Sequence, residues 1–539
     1  MKKSKSIFAV VLATLLVVVL CTWIFPSASF NATLVEGEKL QVGLFDLFSY
    51  PMVALTYFGY VLVYTLAVGM FYGVANKIPA YHVLIEKIKK LYTGKEAIFL
   101  AIVMVLLAII VSVTGVSFAM IFVFPFIISV VLAMGYNKLV AASVTVGPVV
   151  AGIAGTTLGN STVNYMHQVL GVNIMDEMIS KVVVLVAFTI ILVANVLLYA
   201  KKTKNSTIEA EVITSNKKVE KEEVKEVPAK KEKETSKKSS SKKEDTKKAS
   251  TKKASTKKST TKKTTTTKKT TKSKATKASM AKNSDEVLKV KTKEKQPKCW
   301  PFVLVFDLVL IILCLAVFDW AGVFEITWFA DAKEAINNFE VMGFPIFSKL
   351  LGTYYEFGAW SFNIEIPALI MIATLILALI YRVKWSDLAS GVESGIKKAI
   401  KPAIIMTFIY VILIVSTYHP FQLMITKFIL ELTSGLNVVT MSIVAMVASL
   451  FNVDIIYVAQ STLPYVMNVI GNSELYPLIG VIFQAIYGLM MLVLPSSVIL
   501  FGTLSYLDIS YGQWLKHIWK LFVEVLVVLL IIFLIILAI

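Results

Sequence analysis

Apolar runs close to bilayer length recur along the whole chain. They fall at 7–25, 51–75, 97–113, 118–134, 139–155 and 181–200, then resume at 300–318, 362–381, 403–417, 438–451, 453–470, 477–494 and 518–538. A helix needs about twenty such residues to cross the hydrocarbon core, and in lipid only helices or closed barrels satisfy every backbone N–H and C=O. With 57% of 539 residues hydrophobic, an ordinary soluble enzyme is excluded. The pattern predicts an all-α, multi-pass protein of the cell membrane with about 10–13 membrane segments.

Charge is distributed just as unevenly. The formal balance of +19 would suggest nucleic acid or anionic lipid as a partner, but residues 201–298 hold 33 lysines against 13 acidic residues, so the rest of the chain is almost neutral. That segment includes STKKASTKKSTTKKTTTTKKTTKSKATK, which has too few apolar groups to offset the entropy of folding and is expected to be a disordered tether. No aromatic residues interrupt its lysines to stack on bases, so no specific nucleic acid partner is expected; contact with membrane lipid headgroups is the electrostatic alternative. The expected division is a transmembrane half over 1–200, a linker over 201–298 and a second transmembrane half over 299–539. Lysines flank the ends of spans in MKKSK, in KIPAYHVLIEKIKKLYTGKE and in RVKWSDLASGVESGIKKAIK, whereas 319–356 is acid-rich. The positive-inside tendency therefore places the N-terminus and the linker in the cytoplasm. The run 7–25 is longer than a usual signal core and is read as a retained first span.

The spans are broken in a paired manner. In the first half TGVSFAM (114–120) interrupts one run, AMGYNKLV makes a turn, and the next run ends at GTTLGNST. In the second half LFNVDIIYVAQSTLP interrupts a run, NVIGNSELYPL makes the turn, and the next run ends at LPSSV. Gly135 to Asn160 is 25 positions, and so is Gly471 to Ser496. Unwound backbone inside a bilayer costs several kcal/mol per unpaired group, so it persists only where protein, water or solute satisfies it. Interrupted segments at corresponding positions of two halves are the pattern of secondary transporters with internal repeats. The breaks carry hydroxyls and amides: Asn160, Ser161, Thr162 and Asn164 in the first half, Gln460, Ser461, Thr462, Ser496 and Ser497 in the second, with Pro495 favouring the break itself. Helix N-termini at such breaks attract a carboxylate, and freed carbonyls and hydroxyls suit a small cation such as sodium.

Several stretches resemble the dicarboxylate anaerobic carrier (YfcC-like) family of the ion transporter superfamily. They are TWIFPSASF, YGVANKIPAYHVLIEKIKKLYTGKE, FPFIISVVLAMGYNKLVAASVTVGPVVAGIAG before its Asn-Ser-Thr break, SGVESGIKKAIKPAI, and LPSSVILFGTLSYLDISYGQWLKHIW. The resemblance covers most of both halves. It implies two inverted repeats with re-entrant hairpins and cation-coupled movement of organic acids or amino acids. Residue by residue, it implies that Asn160, Ser161 and Thr162, and Ser461, Thr462, Pro495, Ser496 and Ser497, bind ion and substrate. The chain departs from the family at Asn160–Ser161, where Asn-Pro is usual, and in its lysine-rich insertion.

Among ionisable residues Asp454 stands out, beside Asn452 at an interrupted run. It is either a proton relay, cation ligand or partner for a substrate amine, or a helix-end carboxylate near water. His167 is read as a hydrogen-bonded structural histidine rather than a titrating group. The three cysteines, Cys21, Cys299 and Cys314, form neither a disulfide framework nor a metal site, and no nucleotide loop or hydrolase triad is visible. The chain is therefore expected to be a secondary carrier of a small organic anion or amino acid, with sodium or a proton as coupling ion, no other cofactor, and a homodimer as a compatible assembly. The competing expectation is a non-transporting scaffold whose linker recruits anionic partners.

Overall fold

The computed structural model describes residues 7–159, 161–222, 297–352, 355–432 and 437–538, with side chains at all of these except 161–162, 205–222 and 351. Residues 1–209 and 296–539 form one compact unit, which holds every site discussed below; residues 210–295 form another. Helix α1 (Ile7–Ile24) leads into a two-stranded antiparallel hairpin, β1 (Ala28–Asn31) and β2 (Thr33–Glu36), with Ala28 opposite Glu36. Then come α2 (Leu44–Ala75), α3 (Pro79–Leu91), α4 (Glu96–Thr114), α5 (Phe124–Ala133), α6 (Lys138–Ala154), α7 (Ser161–Leu170) and α8 (Met178–Glu222). The chain resumes with α9 (Trp300–Val317), short helices α10 (Trp320–Phe324), α11 (Trp328–Asn337) and α12 (Ile346–Leu351), and α13 (Glu365–Ile380). It ends with α14 (Trp385–Tyr418), α15 (Gln422–Glu431), α16 (Val438–Phe451), α17 (Ile455–Ile470), α18 (Tyr476–Met490), α19 (Val498–Leu507) and α20 (Tyr511–Ala538). Among the described residues, eight helices are long and apolar enough to cross a membrane.

Helix α8 carries helical backbone through Glu222, so the stretch from 201 that composition assigns to a disordered tether begins as helix. The lysine-richest part, within 223–296, lies outside the described residues.

The order long helix, surface helix, hairpin, broken helix, final helix occurs twice, as α2–α8 and as α14–α20. Equivalent helices α2 and α14 run antiparallel along each other. Tyr50 Oη near the start of α2 lies 2.7 Å from His419 Nε2 just past the end of α14. Phe58 stacks on Tyr410 at 4.2 Å midway, and Gly73 near the end of α2 packs on Gly391 and Gly395 near the start of α14. The repeats are therefore inverted. The kink in α2 at Phe58, where φ is −120° and ψ 16°, sits in the middle of this pair.

Each hairpin enters from its own face. Glu96 at the start of α4 pairs with Lys204 at 2.9 Å, and Lys204 lies 5.1 Å from the ring of Tyr136, which follows α5. Helices α4 and α5 thus go in and return to one level. At that same level Lys138 donates to Leu507 O at 2.7 Å and Lys401 pairs with Asp508 at 2.6 Å. The second hairpin, α16–α17, belongs to the opposite face, where Lys427 of α15 pairs with Glu36 at 2.5 Å and the ring of Tyr465 on α17 lies 5.9 Å from Phe30.

Small residues let α2 and α14 approach closely, as is common where membrane helices cross. A Cβ added at Gly395 would lie 2.1 Å from Gly69 O, and one at Gly73 would lie 2.1 Å from Gly391 O. Gly395→Val should therefore lower stability by about 1–3 kcal/mol or more, the cost of overpacking against backbone that cannot yield. Thermal unfolding of the purified variant in detergent checks this; an unfolding temperature matching that of wild type would mean that the helices separate at no cost.

Candidate transport site

All four breaks meet at one cavity of about 200 Å³. Gly115 to Phe118, after α4, form one part of its wall, and Thr156, after α6, forms another. Val453 to Ile455, at the tip of the second hairpin, and Ser497 to Ile499, at the start of α19, complete the ring, with Tyr60, Tyr410, Gln484, Tyr487 and Phe362 between them. The breaks occur where the sequence gives the helix a reason to stop. Gly115 takes a left-handed φ of 66° that ends α4. Asp454 and Ser497 cap α17 and α19, accepting from the N–H groups of Ile456 and Leu500 at 3.4 Å each.

The unwound backbone is satisfied largely by side chains from other helices. Tyr64 and Tyr72 of α2 donate to Ala119 O and Phe122 O at 2.6 and 2.7 Å, closing the break after α4. Gln484 of α18 donates to Thr156 O at 2.9 Å and Ala154 O at 3.4 Å, while Ser112 holds Gly155 O at 2.6 Å. Tyr487 donates to Val453 O at 2.9 Å. Trp514 of α20 donates to Leu492 O at 2.7 Å, and the Tyr511 hydroxyl reaches Val493 O. These partners remove the several kcal/mol that each orphaned carbonyl would cost in a membrane interior.

Asp454 is the sole acidic residue among the described residues lining the cavity, and no lysine or arginine lines it. The N-termini of α17 and α19 supply partial positive charge. Two buried acceptors near it, Gln484 Oε1 and Ser496 Oγ, have no protein partner. The ring is thus equipped to hold a small cation at hard oxygens and an anion at helix ends and hydroxyls, with aromatic rings excluding water.

Of the residues singled out by sequence, Asp454 and Ser497 line this cavity. Pro495 and Ser496 lie in the break beside Ser497, with Ser496 fully buried. Asn160 lies outside the described residues; Ser161 and Thr162 begin α7, with side chains outside them as well. Asn164 does not reach the cavity, its amide being held by Asp319 at 3.0 Å. Gln460 and Ser461 are displaced too, since they line a separate cavity of about 240 Å³ beneath β1. Thr462, fully buried, has its hydroxyl 3.2 Å from that of Ser461. The physical reason is the position of the tip: α17 starts at Ile455, so residues from 460 onward have already climbed more than a turn away. His167 is bound on both nitrogens, 3.1 Å from Val163 O and 3.0 Å from the Lys181 ammonium, which donates to Nε2. Sequence reading missed Tyr60, Ser117, Tyr410, Gln484 and Tyr487. Ser117 lay inside a recognised break, and Gln484 is a lone amide in an apolar run, which is itself a signal; the tyrosines offered none.

A search among curated proteins finds no relative of this chain. Among solved structures, it is similar to the YdaH transporter of Alcanivorax borkumensis, described as having an unusual topology, at 12% identity over 98% of this chain and 97% of that one, with a TM-score of 0.36. A family profile described as DcuC, C4-dicarboxylate anaerobic carrier, matches residues 5–247 and 256–539. The resemblance read from the sequence is thereby borne out: the protein is a multi-pass membrane carrier and not an enzyme, and it belongs to the C4-dicarboxylate anaerobic carrier family.

Proposed function

We propose that the protein is a secondary carrier for a small dicarboxylate, coupled to sodium or a proton at Asp454. One observation carries this reading: four helix breaks from two inverted repeats surround one cavity whose single charged side chain among the described residues is a carboxylate. A dianion entering beside an ionised Asp454 meets like charge in a medium where Coulomb terms are poorly screened. A cation bound by Asp454, or a proton on it, removes that repulsion, and so binding of substrate and coupling ion reinforce each other. The helix ends of α17 and α19 then face the substrate carboxylates. An amino acid fits less well, since its ammonium would compete with the coupling ion for the same carboxylate. The resemblance read from the sequence assigns Asn160, Ser161 and Thr162 to ion and substrate binding as well, and this reading keeps them in that role. Because the lysines Lys138, Lys204 and Lys401 gather at the face where the first hairpin enters, that face is taken as cytoplasmic.

The test is uptake of labelled succinate into vesicles holding the purified protein, with an imposed sodium gradient, a pH gradient, both or neither. Uptake that rises with one gradient and is competed by other four-carbon dicarboxylates is expected. Succinate uptake no greater than in empty vesicles under every gradient would sink the proposal.

A further inference from the structure

A second cavity of about 200 Å³ lies on the lysine-rich side of the first. Along α2 the central cavity is lined by Tyr60 and the second by Thr65 to Asn76. Along α14 the order is Tyr410, then Met406 to Ser394; along α19 it is Ile499, then Gly502 to Tyr506. The first hairpin steps in the same sense, from Phe118 to Ile121 and on to Ile128. The second space is therefore stacked on the first along four elements.

Its lining is mostly apolar, and Lys398 is its one charged residue among those described. Three lysines crowd this part of α14, and two of them have acidic partners: Lys397 pairs with Glu393 at 2.5 Å and Lys401 with Asp508 at 2.6 Å. Among the described residues Lys398 has neither an ion pair nor a hydrogen bond; its ammonium lies 4.4 Å from the centre of the Tyr506 ring. It sits twelve residues along α14 from Tyr410, which is roughly 18 Å of helix, so it cannot serve the central site directly.

We propose that this second cavity is a carboxylate-binding vestibule on the substrate path, with the Lys398 ammonium holding one carboxylate and the apolar walls covering the carbon chain. An ammonium without a counter-ion in a low-dielectric pocket attracts anions strongly, and Tyr506 and Asn76 line the same pocket as polar neighbours. An anion leaving the central cavity toward this face passes from helix ends to a fixed cation; one arriving is concentrated there before entry. The inference rests on the carboxylate reading above and adds a site, and a direction, that the central cavity does not have.

Inside-out and right-side-out vesicles of wholly zwitterionic lipid separate the two faces. In Lys398→Gln, the succinate concentration for half-maximal transport should rise roughly tenfold when substrate approaches from the lysine-rich face, the loss expected for one charge-assisted contact. Approach from the other face should be unchanged. Lys398→Arg should restore most of the loss, and Lys397→Gln should match wild type. High ionic strength should shrink the difference between Lys398→Gln and wild type. Equal effects at both faces, or none, overturn the vestibule, as does an effect that appears only when anionic lipid is added, which would assign Lys398 to headgroups. Should Lys398→Gln insert poorly, protection of Ser394→Cys, a variant on the same wall that keeps Lys398, from a membrane-impermeant thiol reagent by succinate gives the same decision, and absence of protection counts against the site. Failure of wild type to move succinate at all refutes the carboxylate reading instead, so the two failures are distinct.

Discussion

Asp454→Asn is expected to leave the carrier folded and membrane-inserted while cation-driven uptake falls roughly 10- to 150-fold. The range follows from about 1.5–3 kcal/mol for a contact made to a charged group. Folding should survive because the asparagine oxygen still caps the N–H of Ile456, as the carboxylate does now. The variant also separates the two coupling ions. If a proton is the ion, asparagine imitates the protonated carboxyl, so one-for-one dicarboxylate exchange persists while net uptake loses its pH dependence. If sodium is the ion, exchange weakens as well and more sodium is needed to restore it. Initial uptake and exchange rates at matched protein levels decide between these outcomes. Wild-type cation dependence in Asp454→Asn would remove the residue from coupling altogether.

Gln484→Leu should be damaging in a different manner. The amide donates to Thr156 O and Ala154 O across the meeting point of α6 and α18, and leucine leaves both carbonyls buried and unpaired. At about 1–3 kcal/mol for each unmatched group, the unfolding temperature should drop measurably, and uptake should fall at least tenfold because the break after α6 loses its shape. Ser505→Ala makes a fair comparison, since it removes a buried hydroxyl that has no protein partner; it should be close to neutral. If both variants melt with wild type and transport equally, Gln484 does not hold the break.

Much of this architecture was legible in the chain because membrane insertion enforces it. Apolar run length determined where helices could be, and the polar interruptions at 114–120, 155–162, 452–462 and 495–497 marked the unwound points. What could not be read was depth. Sequence treats Asp454 and Ser461 as members of one polar stretch, yet a helix beginning at Ile455 carries Ser461 nearly two turns along its axis and into another cavity. Tyr60 and Tyr410 were invisible for a related reason. Each lies in an apolar run, and only the antiparallel crossing of α2 with α14 brings their hydroxyls to 3.4 Å at the cavity wall. Lys398 was likewise one lysine in a basic patch until its neighbours proved to be paired.

The manner in which the breaks are closed constrains how such a sequence can drift. Tyr64, Tyr72, Gln484, Tyr487, Tyr511 and Trp514 all donate to main-chain carbonyls. A carbonyl belongs to every amino acid, so side chains of the unwound segments other than those, such as Asp454 and Ser497, that cap a helix or line the cavity can be exchanged so long as the segments remain unwound. The restriction falls on six donors that sit elsewhere in the chain, inside stretches that otherwise look like interchangeable lipid-facing helix. A changed side chain at an unwound position that lines no cavity is therefore tolerable, whereas a phenylalanine in place of one distant tyrosine is not.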